Sequence, residues 1–230
     1  MIDRRGRTFT RRLIFGALAM ALAPTVANAQ SRRSQNGSTD MAPTVLPNDV
    51  VRLVRFDEGQ ARVGDVVVYM HREFWGEREE PYMKRIMALP GQRIAFRAGV
   101  PILDGVSAVS EYVTTEDLRF EAAGRSVHPG LRRYRETFAG KTYDTYHWAT
   151  ESRIVRTWQV HANGEQTSRS QDIRNTDEIV VPAGHYFVAG DNRDASEDSR
   201  WDGPIAIAKV RRRAVAILTS HDPTRVGLPM

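Results

Sequence analysis

The sequence predicts a mainly β protein, and three observations carry that expectation. Runs rich in β-branched residues recur, as in Val50-Val51-Arg52-Leu53-Val54 and Val66-Val67-Val68-Tyr69-Met70, and such residues suit the pleated surface of a half-buried sheet. Turn pairs punctuate the apolar runs: Pro90-Gly91 follows Ile86-Met87-Ala88-Leu89, and Asp104-Gly105 separates Ile102-Leu103 from Val106, the second being a strong hairpin signal. No internal repeat or heptad runs through the chain. Its 230 residues suit one domain, or one domain with a large insertion, and 41% apolar content is enough for a packed core.

Taken in order, residues 1–12 are arginine-rich, Leu13 to Ala23 are almost wholly apolar, and Ala27-Asn28-Ala29 precedes Gln30. These are the n-region, h-region and A-x-A site of a secretory signal, so residues 1–29 are expected to be a leader cleaved near Ala29. The apolar stretch falls short of the ~20 residues that cross a bilayer and ends at Pro24, which favours cleavage over a short anchor. Thr10-Arg11-Arg12-Leu13-Ile14 also resembles a twin-arginine export signal. The expected location is therefore outside the cytoplasm, periplasmic or at the extracytoplasmic face of the membrane.

The same leader holds most of the charge. Its five arginines against Asp3 give a net +4, which leaves +1 of the formal +5 for the remainder. Past the leader no sustained basic run exists beyond Arg211-Arg212-Arg213, so nucleic-acid binding has no support. The absence of cysteine removes disulfides, thiolate metal sites and a Cys nucleophile. His71, His128, His147, His161, His185 and His221 are scattered, without the close pairing of a metal motif; neither a metal nor a cofactor is expected.

Residues 30–40 are polar, and the pattern tightens at Met41-Ala42-Pro43-Thr44-Val45 before the Pro47-Asn48-Asp49 turn and the first two strands. Phe74-Trp75 stands in a charged stretch; the pair either folds back onto the core or touches the membrane surface, where Trp suits the headgroup region. Tyr82 to Leu89 reads as a strand with Lys84 inside its apolar pattern, a place where lysine ordinarily snorkels. Residues 107–177 are more polar, rich in Thr, Tyr and Arg, and show no catalytic pattern. Val180-Val181 and Tyr186-Phe187-Val188-Ala189 return to strand, the latter emptying into the polar loop Gly190 to Arg200, and Ala206 to Leu218 closes with an apolar segment.

Four boxes stand in order: Met41-Ala42-Pro43-Thr44; Gly64-Asp65-Val66-Val67-Val68; Tyr82-Met83-Lys84-Arg85 with Pro90-Gly91; and Gly190-Asp191-Asn192-Arg193-Asp194-Ala195-Ser196-Glu197-Asp198-Ser199-Arg200. Together they resemble the boxes of type I signal peptidases, the membrane-associated Ser/Lys endopeptidases that remove export signals. The resemblance implies an antiparallel β catalytic core with an inserted, smaller β cap. On that reading residues 30–106 and 178–220 form the core, 107–177 the inserted accessory β region, and 221–230 a C-terminal tail.

The family mechanism needs a serine hydroxyl activated by a neutral lysine, and a lysine is neutral near pH 7 only when burial lowers its pKa by several units. By resemblance Lys84 has that role, and Ser196 hydrogen-bonds its amine and orients it. Asp191 with Arg85, and Asp198 with Arg200, brace the loop together with Arg193. In the first box the family runs Pro-Ser-Gly-Ser-Met-x-Pro-Thr-Leu, with the second serine as nucleophile and the first as an oxyanion-hole donor. Here Ser38 matches the first, and Asp40 occupies the nucleophile position. That exchange removes the hydroxyl and sets a carboxylate beside Lys84, where it favours the protonated amine. Read as a strand, the segment places Ser38 on the same side as residue 40 but about 6–7 Å along the chain, beyond the ~2.6–3.2 Å reach of a base.

The resemblance therefore implies a signal peptidase-like protein for leader processing, impaired by Asp40. Two alternatives stay open: an active serine endopeptidase using Lys84 with Ser38, and a non-catalytic binder of extended A-x-A-like segments by strand addition. In each, the partners are exported proteins or peptides with small residues at the cleavage site, with membrane contact through Phe74 and Trp75.

Overall fold

The computed structural model of the chain describes residues 32–71, 78–120, 126–160 and 166–230. The expected leader with its Ala29 site, and the pair Phe74 and Trp75, lie outside the described residues.

The chain opens with β1 (Arg32–Gln35), β2 (Val50–Arg55), β3 (Val66–His71) and β4 (Glu80–Ala88), then the shorter β5 (Arg93–Arg97), β6 (Val100–Leu103) and β7 (Val106–Ser107). Next come β8 (Val109–Phe120), β9 (Ser126–Phe138), β10 (Lys141–His147), β11 (Ile154–Val160) and β12 (Gln166–Asp172). β13 (Ile179–Val180), β14 (His185–Ala189), the helical turn α1 (Ser199–Asp202), β15 (Ile205–Ala206) and β16 (Val210–Thr219) complete it.

Among the described residues these strands form a seven-stranded sheet ordered β1-β2-β16-β3-β4-β14-β15, a four-stranded sheet β13-β5-β6-β7, a three-stranded sheet β10-β9-β8 and the pair β11-β12. Every pairing between named strands is antiparallel, so the mainly β, antiparallel expectation holds. The hairpin signal holds as well. Asp104 and Gly105 both take positive φ, 51° and 85°, as a two-residue type I′ turn requires, and they bring Leu103 opposite Val106.

β2 alternates, with Val51 and Leu53 buried beside exposed Arg52 and Arg55. β3 does not: Val66, Val67, Val68 and Tyr69 are all buried. The half-buried sheet expected from the sequence is thus correct for β2 and wrong for β3, because β3 runs through the middle of the large sheet with a core on each face. Val66 and Val68 pack with Met41, Val45 and Leu53, while Val67 and Tyr69 pack with Ile86, Tyr186 and Val188. Burial of each such apolar side chain is worth about 1.5–3 kcal/mol, so β3 and the second half of β4, buried from Lys84 to Ala88, form the least yielding part of the scaffold.

A second difference lies at the first box. Residues 39–45 form bends and turns, and Ser38 before them lies in no strand. The cause is local competition by polar side chains for backbone groups. Asn36 Nδ2 donates to the carbonyls of Ser38 and Leu46 at 2.6 and 3.1 Å, Ser38 Oγ accepts from the Asp40 N–H at 3.1 Å, and Asp49 Oδ2 accepts from the Leu46 N–H at 2.9 Å. The segment is tied into a closed loop before a ladder can form.

Candidate functional site

Lys84 is delivered by β4, opposite Val67 of β3, and its side chain is only 1% exposed. Its Nζ donates to Asp40 Oδ2 at 2.6 Å and stands 5.1 Å from the centroid of the Tyr82 ring. The Asp40 side chain is 21% exposed, so the ion pair has one buried end and one end open to a cleft of about 540 Å³. Ser38, Met41, Tyr82, Met83 and Ala195 also line that cleft. The short contact is charge-assisted, which makes it stronger than a bond between neutral groups.

Asn192 fixes residue 40 and its neighbour. The Asp40 carbonyl accepts from the Asn192 N–H at 2.9 Å, and the Thr39 carbonyl accepts from Asn192 Nδ2 at 3.2 Å. The turn at 39–45 and the loop at 190–200 are therefore stitched together through Asn192. Gly190 is the point of closest approach. A Cβ there would lie 2.3 Å from Ser196 Oγ and 2.5 Å from the Asp40 carbonyl oxygen, so any side chain would push the two segments apart.

Ser196 is buried in this seam. Its hydroxyl, read from the sequence as the group that hydrogen-bonds and orients the Lys84 amine, makes no hydrogen bond among the described residues. The amine donates to Asp40 instead, a carboxylate being the stronger acceptor. Ser38 is likewise not placed as a strand residue two positions from 40; its Oγ is held by the Asp40 backbone N–H.

The acidic and basic residues of the loop pair with one another and with their surroundings. Arg85 donates through Nε and one terminal nitrogen to Asp191 at 2.8 and 2.6 Å, and gives another N–H to the Gly64 carbonyl at 2.7 Å. Thr44 Oγ1 donates to the same Asp191 carboxylate. Arg200 donates to Asp198 at 2.9 and 2.8 Å, and Asp198 also caps α1 and accepts from the Gly190 N–H at 2.9 Å. Burial opposes the Asp198 charge, but the Arg200 guanidinium and its hydrogen bonds, the Gly190 N–H and the Lys84 ammonium outweigh it and hold this carboxyl below the usual carboxylate range.

Arg193 has a partner that the sequence reading did not supply. Its two terminal nitrogens donate to Glu136 of β9 at 2.8 and 2.6 Å, with both side chains 0% exposed. Burial opposes the Arg193 charge, and the Glu136 carboxylate overcomes burial and raises the guanidinium pKa above its ordinary value. Asp194 in turn pairs with Arg174 at 2.5 Å and accepts from the Trp148 N–H at 2.8 Å. Glu136 and Arg174 both lie in the stretch where no functional pattern was visible. A signal for Glu136 did exist: it is two residues from Phe138 and from Tyr134, so on a strand it shares their face. His147 is buried near Arg193, Arg174 and Arg200, and desolvation, reinforced by those three cations, lowers its pKa well below the usual imidazole value.

No group of three or more His, Cys, Asp or Glu that could hold a metal occurs among the described residues. No helix among them is long and apolar enough to cross a membrane.

Residues 7–219 match the family described as signal peptidase, peptidase S26. Similar curated proteins include a signal peptidase I of Rickettsia bellii (strain OSU 85-389), 32% identical over 143 residues that make up 60% of this chain and 40% of that protein. Another is the signal peptidase I of Rickettsia prowazekii (strain Madrid E), 30% identical over 141 residues, 60% of this chain and 44% of that protein. The matched part of the chain thus spans less than half the length of these two relatives. A crystal structure of a signal peptidase I from Enterococcus faecalis V583 aligns with 66% of this chain and 93% of that one, at a TM-score of 0.33 and 18% identity.

Proposed function

Because the chain belongs to the signal peptidase family, peptidase S26, we propose that it is a signal peptidase-like protein that receives leaders of exported chains in the cleft beside Lys84, and that Asp40 leaves it catalytically impaired. The observation that carries this reading is the 2.6 Å contact between Lys84 Nζ and Asp40 Oδ2. Peptide cleavage of the family type needs a hydroxyl that loses its proton to a neutral amine as it attacks the scissile carbonyl. At residue 40 a carboxylate occupies the position of that hydroxyl, and the ammonium it binds has no free electron pair with which to take a proton. The pair sits where an attack would have to begin.

The active alternative would use the Ser38 hydroxyl, and no contact favours it: Ser38 Oγ is engaged by the Asp40 N–H. The surroundings support retention of binding. The loop from Gly190 to Arg200 is held by the Arg85–Asp191 and Arg200–Asp198 ion pairs, and the cleft remains open along Tyr82-Met83-Lys84. On this reading the partners are exported chains with small residues at the processing point, met outside the cytoplasm at the membrane face, and the membrane contact suggested by the sequence is assigned to Phe74 and Trp75.

The test incubates the purified full chain with a fluorescent peptide bearing an Ala-x-Ala site, and measures binding and cleavage separately. The expected result is binding without cleavage by the parent, with cleavage appearing in Asp40→Ser and lost again in Asp40→Ser/Lys84→Ala. Cleavage by the parent that Ser38→Ala abolishes would overturn the impaired reading. Absence of both binding and cleavage in all variants would overturn the leader-binding role.

A further inference from the structure

A second cleft lies behind the turn that carries Asp40. Asp40 and Met41 line the first cleft, whereas Pro43 and Thr44 line the second, so the turn is the partition between them. The second cleft encloses about 410 Å³. Five cationic side chains, Arg85, Arg133, Arg135, Lys141 and Arg225, face it, against one acidic side chain, Asp144.

The cations come from separate elements and are incompletely matched. Arg85 is already paired with Asp191 on its far side. Arg133 and Arg135 of β9 both reach Asp144, at 3.4 and 2.9 Å, with Glu116 taking one further Arg133 N–H at 3.2 Å. Lys141 of β10 shares Asp65 with Arg213, at 3.5 and 3.6 Å. Arg225 donates to the carbonyls of Pro43 and Thr44, both at 2.9 Å, and to Asp49 at 3.0 Å. After these contacts, the Nε–H of Arg225 is shielded from solvent and donates to nothing among the described residues, while that of Arg133 has only the 3.4 Å approach to Asp144, short of a hydrogen bond. Buried donors without acceptors are rare in folded proteins and call for a partner. Ile217, Leu228, Pro229 and Met230 add an apolar wall to the lining.

We propose that this cleft binds a phosphate-type oxyanion, either free or as the headgroup of an anionic phospholipid. A tetrahedral oxyanion offers acceptor oxygens in several directions, which suits guanidinium and ammonium donors converging from β9, β10 and the turn at Arg225. The apolar wall would accommodate the glycerol end of a lipid. The site stands on the other side of the turn from Asp40, and its occupancy is independent of whether the first cleft cuts peptides.

The experiment titrates the full chain at constant ionic strength with inorganic phosphate, and separately with phosphatidylcholine vesicles with and without phosphatidylglycerol, following affinity and melting temperature. Arg135 and Lys141 are 54% and 40% exposed, so Arg135→Gln/Lys141→Gln removes two positive charges without emptying the core; Arg119→Gln, at an exposed position on β8, is the control. Saturable phosphate binding that raises the melting temperature and weakens about tenfold or more in the double variant, with the control unchanged, assigns the site to a free anion. Preferential binding to the phosphatidylglycerol vesicles, lost in the same double variant, assigns it to a headgroup. If neither probe binds, or if the double variant binds as the parent does, the proposal is wrong.

Discussion

Replacing Glu136 by Gln should be among the most destabilising single changes available in this chain, although Glu136 lies far in sequence from every box that marks the family. The substitution keeps the size of the side chain, removes its charge and turns one of its two acceptor oxygens into an NH2 donor. Arg193 would then be a fully buried guanidinium with only neutral acceptors left, the amide oxygen of the new Gln and the carbonyls of Gly99 at 2.9 Å and Gly190 at 3.2 Å. Tyr143, whose hydroxyl donates to Glu136 Oε1 at 2.6 Å, would face an amide in place of a carboxylate. Breaking a buried pair by removing one partner costs about 3–5 kcal/mol, out of a total of about 5–15 kcal/mol for a domain. At roughly 2–4 °C per kcal/mol for a chain of this size, the melting temperature should fall by about 6–20 °C. Urea denaturation of parent and variant, with the slope checked for equality, measures the loss directly. A companion variant, Glu136→Leu/Arg193→Met, removes both charges and should recover most of the stability, since an apolar pair of similar volume commonly replaces a buried ion pair without loss. A loss below about 1 kcal/mol for Glu136→Gln would refute the reasoning, because it would mean that Arg193 does not depend on this carboxylate.

Gly190→Ala should cost about 1–3 kcal/mol, because the new methyl would meet Ser196 Oγ at 2.3 Å and the Asp40 carbonyl at 2.5 Å; unchanged denaturation midpoints would show that the seam yields freely. For His147 the folded-state pKa lies well below the unfolded one, so the unfolded chain binds the proton first and stability rises with pH. The stability attached to the neutral ring is present above about pH 6.5 and is lost below it, at up to about 1.4 kcal/mol per pH unit. Denaturation midpoints between pH 7.5 and 5 should therefore fall in the parent and flatten in His147→Gln, and identical slopes would remove His147 as the cause.

Much of the scaffold is legible in the residues. β-branched runs mark β2 and β3, and Asp104-Gly105 marks its hairpin, because these signals act within a few residues of chain. In the site, Arg85 with Asp191 and Arg200 with Asp198 are paired in the structure as in the sequence reading, and Asp40 meets Lys84. What resists reading is of two kinds. The turn at 39–45 arises from Asn36, Ser38 and Asp49 binding nearby backbone, a competition that strand spacing alone does not register. Glu136 and Arg174 meet partners 57 and 20 residues away, and such encounters are fixed by topology rather than by local pattern. Amid Arg132, Arg133 and Arg135, Glu136 looks like one more residue of a solvated face; only its alignment with the aromatic side of β9 sets it apart.

The division of charge between two parts of the chain has a practical side. Arg193 and Asp194 stand next to each other in the loop, yet their counter-ions, Glu136 and Arg174, come from the stretch between β7 and β13. A chimera that swaps this stretch for a length-matched donor segment would import neither acid nor base unless both were written in by hand. The recipient would then carry two opposite orphaned charges side by side in its interior. Transplants should therefore be designed by matching these two positions first and loop lengths second.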